Sequence, residues 1–196
     1  MIVKDISQLK EKCVPVSALS YGEGEDIAKR LLDVLKNSQG GIGLAANQIG
    51  INKRVCVINV NKEEPLVLIN PEIIERSKET FVFPEGCLSF PNKHVRTTRH
   101  TSIKVKADNH DEELSFTADS KNINDAFECA CVQHEIDHLD GITMFDREFK
   151  QEPIKREGKK IGRNEKVKVT NGYEIKTLKY KKAESLLSNG WEMMNV

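Results

Sequence analysis

At 196 residues, with 38% hydrophobic content and 30 Lys/Arg balancing 30 Asp/Glu, the chain is long enough for one full core and short for two. No stretch approaches the roughly 20 apolar residues that span a bilayer, and MIVKDISQLKEK places charge where a secretory signal has its apolar centre, so membrane and export readings are disfavoured. The neutral total hides an asymmetry, because residues 151–196 carry 11 Lys/Arg against 6 Asp/Glu and leave the first 150 with 19 against 24, the pattern of an acidic body with a basic appendage. Five cysteines, an odd number, suit a reducing compartment better than a disulfide framework, and a cytoplasmic protein is expected.

From Glu25 to Leu35 the apolar residues Ile27, Ala28, Leu31, Leu32, Val34 and Leu35 recur at helical spacing, until Asn37-Ser38-Gln39-Gly40-Gly41 stops the run. This predicts a helix packed by one face. The next segment, GIGLAANQ from Gly41 to Gln48, allows close approach of another backbone and by itself reads as a tight packing turn. It has neither the ending of a phosphate loop nor a dinucleotide spacing, which argues against nucleotide binding. Short β-rich runs follow at residues 54–60, 66–69, 80–83, 102–107 and 114–117, separated by Asn, Pro, Gly and charged turns. A second helix is predicted from about 124 to 139, where Phe127, Ala130, Cys131, His134 and His138 form one stripe that ends near Gly141. Residues 155–166 read as a linker. Beyond it lie an alternating Val167/Val169 strand, a turn at Asn171-Gly172 and a short helix over 183–187 before Asn189-Gly190-Trp191. The expected fold class is α+β: antiparallel sheets wrapped around a central helix, with an N-terminal helix and a C-terminal appendage.

His134-Glu135-Ile136-Asp137-His138 is the sharpest chemical feature. Two histidines four apart on a helix project to one side and can ligate one metal, with Glu135 beside the coordinated water. Such a site needs a third protein ligand, and Cys87 in Glu85-Gly86-Cys87-Leu88-Ser89 is the candidate, since it follows a predicted strand and precedes a predicted Phe90-Pro91 turn. Cys13, Cys56, Cys129 and Cys131 read as buried small hydrophobes.

Taken in order, GIGLAANQ, EGCLS and QHEIDHLDG resemble peptide deformylase, the family that removes the N-formyl group from nascent polypeptides. The resemblance covers roughly residues 5–150 and implies a catalytic domain over 1–150, followed by a basic linker and small appendage over 151–196. It implies that Cys87, His134 and His138 hold a divalent metal, Fe(II) natively and Zn(II) or Ni(II) in purified material. By the same resemblance, metal-bound water attacks the formyl carbon, and Glu135 takes its proton and passes it to the leaving amine. The Gln48 amide and the Leu88 backbone N–H stabilise the oxyanion. Ile42, Phe83, Phe127, Ala130 and Cys131 line a methionine slot, and Gly43 offers backbone hydrogen bonds to a substrate lying as an added strand. The chain departs from the family pattern in its N-terminal entry, in a longer 118–127 stretch, and in carrying His94 where many members have arginine.

Two rival readings are an HExxH metallopeptidase with a distant Glu or His as third ligand, and a metal-stabilised binding module without turnover. The expected partners are N-formylmethionyl nascent chains, with no membrane and a monomeric state. The basic tail either associates with the ribosome through Lys176, Lys179, Lys181 and Lys182 or docks as a folded appendage through Leu186, Leu187 and Trp191. Its Asn-Gly-Trp ending bears a likeness to small modules on bacteriophage proteins, which points to a phage or phage-derived source.

Overall fold

The computed structural model describes the chain apart from residues 1, 21, 61–63, 120–121, 151–160, 173 and 195–196. Two compact units are present, residues 1–150 and 151–196. The first begins with a single turn of helix, α1 (Ile6–Leu9), and then α2 (Glu23–Lys36), which extends a little beyond the predicted stripe at both ends. Glu23, Glu25 and Asp26 in its first turn and Lys36 in its last complement the helix dipole. Its buried face, Ile27, Ala28, Leu31 and Leu35, packs on Leu44, Val55, Val57 and Ile69.

Those partners belong to an antiparallel sheet of β1 (Gly43–Ala45), β2 (Val55–Ile58) and β3 (Leu66–Ile69), in that spatial order. The segment expected to be a packing turn is therefore a short strand followed by one 3-10 turn, Ala46–Ile49. A second sheet orders β4 (Glu72–Arg76), β7 (Ser102–Lys106) and β8 (Leu114–Thr117) antiparallel, and β5 (Thr80–Cys87) pairs with the long β6 (Phe90–His100).

β6 corrects the predicted Phe90-Pro91 turn, because the chain reverses at Leu88-Ser89 and Phe90 already pairs with Cys87. Its inward positions after the bend include Thr97 and Arg99, both buried, so hydrophobic alternation never appears in the sequence.

The helix α3 (Ile123–Leu139) starts where the Asn122 side chain accepts a hydrogen bond from the Asn124 N–H. Every residue from Cys129 to Leu139 is buried, as expected of a helix wrapped on all sides rather than packed along one stripe. Val132, Ile136 and Leu139 share a core with Cys56, Leu68, Ile103, Val105 and Phe116 from the two sheets. The helix ends before Gly141, which has φ +72° and no room for a Cβ against the Lys10 carbonyl. The α+β class and the sheets around a central helix are as expected.

In the second unit, β9 (Lys166–Thr170) lies between β10 (Ile175–Lys179) and β11 (Glu192–Met193), all antiparallel, and α4 spans Tyr180–Leu187. Val167, Val169 and Ala183 form its small core with Leu178, Leu186, Leu187 and Trp191. The predicted linker lies outside the described residues over 155–160. β10 and β11 had not been expected.

Candidate metal centre and substrate cavity

The buried half of α3 carries His134, Glu135 and His138, while β5 ends at Cys87. One ligand atom from each of Cys87, His134 and His138 falls within 4.8 Å of the others. Cys87 Sγ is 3.3 Å from His138 Nε2. His134 Nδ1 is 2.9 Å from Glu85 Oε2, which orients the ring and leaves Nε2 for the cluster. One thiolate and two imidazoles form a soft donor set that fits a divalent transition ion and does not fit Mg²⁺ or Ca²⁺. His138 turns Nε2 to Cys87, and its other nitrogen, Nδ1, is buried without a hydrogen-bond partner.

Behind Cys87, His134 and His138 lies a charged network that sequence reading missed. Arg99, 2% exposed, donates to Glu85 at 2.6 and 2.8 Å and also to Asp137. Thr97 Oγ1 donates to Glu85 at 2.7 Å, and Arg147 donates to Asp137 at 2.7 and 3.0 Å. Burial alone would raise the Glu85 pKa, but the Arg99 and His134 hydrogen bonds outweigh it and hold the carboxyl at about 2. Glu85 sits two residues before Cys87 and Asp137 one before His138, so Arg99 clamps together the two elements that carry Cys87, His134 and His138. Proximity in sequence could have flagged the two acids, but nothing flagged Arg99.

Glu135 is 3% exposed and its Oε2 has no partner. Burial pushes its pKa up to about 7, with Glu85 adding to the rise and His134 opposing it. Gly43 is glycine for a steric reason: a Cβ there would collide with Glu135 Oε1 and come within 2.7 Å of Cys131 Sγ.

A cavity of about 590 Å³ opens onto this group. Its walls include all the residues singled out for substrate, Ile42, Gly43, Phe83, Phe127, Ala130 and Cys131, together with Gln48, Cys87, Leu88, His134 and Glu135. His138 does not line it and is 1% exposed. Phe83 and Phe127 meet edge to face at 4.8 Å between ring centroids. Burial raises the Cys131 thiol well above its ordinary range, so this cysteine is an apolar wall rather than a nucleophile. Gln48 Oε1 accepts from the Ala45 N–H at 2.8 Å, which aims Nε2 at Cys87 Sγ (3.3 Å) and Ser89 Oγ (3.2 Å).

A family model described as polypeptide deformylase matches residues 2–154. Among curated relatives, peptide deformylase of Natranaerobius thermophilus is 44% identical over 124 residues, covering 63% of this chain and 75% of that protein. Peptide deformylase of Prochlorococcus marinus strain AS9601 is 40% identical over 148 residues, covering 72% of this chain and 71% of that protein. The crystal structure of the Thermotoga maritima enzyme superimposes with a TM-score of 0.64 at 34% identity, covering 76% of this chain and 97% of that one. An actinonin-bound class I type b enzyme from Acinetobacter baumannii gives 0.64 at 32%, covering 74% and 95%. These relatives are deformylases rather than HExxH metallopeptidases, and the metallopeptidase reading is not favoured. The fold, the Cys/His/His cluster and the matched span together place the chain in the peptide deformylase family, metal-dependent hydrolases that remove the N-formyl group from nascent peptides.

Proposed function

We propose that Cys87, His134 and His138 hold the metal of this deformylase, that Glu135 moves the proton, and that the adjoining cavity receives formylmethionine. The observation that carries this reading is the cluster of three metal-capable donors beside an unpartnered, buried glutamate, with Cys87, His134 and Glu135 lining one cavity. A divalent ion held there supplies Lewis acidity toward the formyl oxygen and lowers the pKa of water toward neutrality. Fe(II) is the proposed resident ion, with Zn(II) or Ni(II) replacing it in purified protein.

Glu135, with a pKa near 7, is suited to accept a proton and return it to the leaving amine. Gln48 and the Leu88 backbone N–H stand as donors to the oxygen that becomes charged. For Gln48 this requires one Nε2–H to leave Cys87 or Ser89 for the substrate oxygen. Ile42, Phe83, Phe127, Ala130 and Cys131 form the apolar slot for the methionine side chain. Gly43 offers its backbone to the chain behind it. A Met-Ala-Ser-bound structure of the Acinetobacter baumannii enzyme supports a short peptide as occupant of such a cavity.

The 151–196 unit is proposed as an appendage outside the chemistry that associates with the ribosome. Lys179, Lys181 and Lys182 are exposed, and phosphate contacts are their proposed task. Lys176 is set aside, because it pairs with Glu174 at 3.0 Å and lies 4.6 Å from the centre of the Trp191 ring. A cytoplasmic monomer is the proposed working form, and the Asn189-Gly190-Trp191 ending is the ground for proposing a phage or phage-derived source.

The test of the site is a chelator-treated protein assayed on formyl-Met-Ala-Ser before and after metal return, beside a Cys87→Ser variant. Activity should vanish on chelation and return with Fe(II), and the variant should lose metal stoichiometry, because a hard alcohol replaces a soft thiolate. Full metal content in Cys87→Ser would remove Cys87 from the ligand set.

A further inference from the structure

The cavity lining also includes residues 39–41 and 91–94, which are exposed apart from half-buried Gly41 and so form its solvent side. A formyl-methionyl chain with its N-terminus at Glu135 and its methionine in the apolar slot sends its following residues out past these walls. The charges along that path are uneven. Two carboxylates line the cavity, both beside the metal donors: Glu85, held by Arg99, and Glu135. The outer walls carry no carboxylate among the described residues.

They do carry Lys93, which is exposed and whose side chain makes no hydrogen bond or ion pair with any described residue. Lys93 lies in the 91–93 stretch that has no register partner on β5, directly before the Gly86–His94 pair. His94 also lines the cavity and lies across Gly86, where a Cβ would be 3.5 Å from its Cδ2. Asn92 takes φ +64° close to the shift in β5–β6 register, so the lysine is presented from a defined bend. A lysine without an ion-pair partner among the described residues, on the solvent side of the cavity, attracts acidic side chains of a chain leaving it.

Resting on the deformylase assignment above, we propose that Lys93 selects among nascent chains, favouring formyl-methionyl peptides with aspartate or glutamate in the first few residues after the methionine. Both partners stay in contact with water, so the preference has the size of one exposed ion pair, about two- to five-fold, and salt screens it. It acts on the encounter and on binding, and therefore appears in KM rather than kcat.

The experiment uses the full-length, metal-loaded enzyme and three short peptides, formyl-Met-Asp-Ser, formyl-Met-Ala-Ser and formyl-Met-Lys-Ser, at about 50 mM and about 500 mM salt. The expected order of kcat/KM at low salt is acidic, neutral, basic, narrowing at high salt. Lys93→Met should level the series and Lys93→Glu should invert it. Each ratio compares peptides on one preparation, so partial loss of folded protein cancels. Equal turnover of the three peptides by wild type, or an acid-to-base ratio unchanged in Lys93→Glu, would overturn the proposal while leaving the deformylase assignment intact. Failure to turn over the neutral peptide would overturn the assignment itself.

Discussion

Glu135 combines properties that conflict in an ordinary folded protein. It is a carboxyl group within α3, almost fully buried, with one oxygen unpartnered, and an acid left so costs stability that nearby contacts must offset. Gly43 shows how closely the site is built around it, since even a methyl group there would displace Glu135 Oε1. Replacing Glu135 by Gln keeps shape and ligands while removing the proton acceptor. The expected result is a variant with wild-type metal content and deformylation reduced by about 10²- to 10⁴-fold. Metal analysis and single-turnover assay on one sample check both halves, and near-wild-type activity would exclude Glu135 from the chemistry.

Between elements, the strongest device is the clamp of Arg99 on β6 against Glu85 on β5 and Asp137 on α3, which Arg147 also grips. The burial that would strip Arg99 of its proton is overcome by these two acids, and its pKa rises. An Arg99→Met substitution fills similar space but leaves two buried carboxylates without their shared cation. About 3–5 kcal/mol of stability should be lost, read as a lower denaturant midpoint of the metal-free protein. Arg99→Lys should recover only part of this, because one ammonium cannot reproduce the forked contacts to both acids. A metal-free Arg99→Met protein as stable as wild type would show that the clamp contributes nothing net. The same clamp explains why β6 was illegible: its buried side chains are polar because their partners are ionic, and binary patterning reads only apolar burial.

For the molecule as a whole, every residue proposed to touch metal or substrate lies in the first of the two compact units, and the family match ends at residue 154. Truncation after Lys150 should leave turnover of a short formyl-peptide within a few-fold of the full-length enzyme. Circular dichroism and metal content establish that the shortened protein is folded before the assay is read. A folded, metal-loaded but inactive truncation would show that residues 151–196 complete the site.

The spacing of His134 and His138 determined that both imidazoles lie on one helix face, where they can ligate one metal, because helical geometry is local and a four-residue step has one outcome. The extended runs 66–69 and 114–117 matched strand bounds for the same reason: their residues prefer a pleated, half-buried surface whatever their partners. Cys87 was legible only beside the histidines, since one cysteine at a strand end identifies no chemistry by itself. Tertiary structure alone decided that β5 and β6 pair in the register that brings Cys87 to His138, that Arg99 reaches Glu85 and Asp137, and that Lys93 stands free at the cavity's outer wall. Those contacts join residues 14 to 51 positions apart. Their energies depend on burial and on partners that no local pattern encodes.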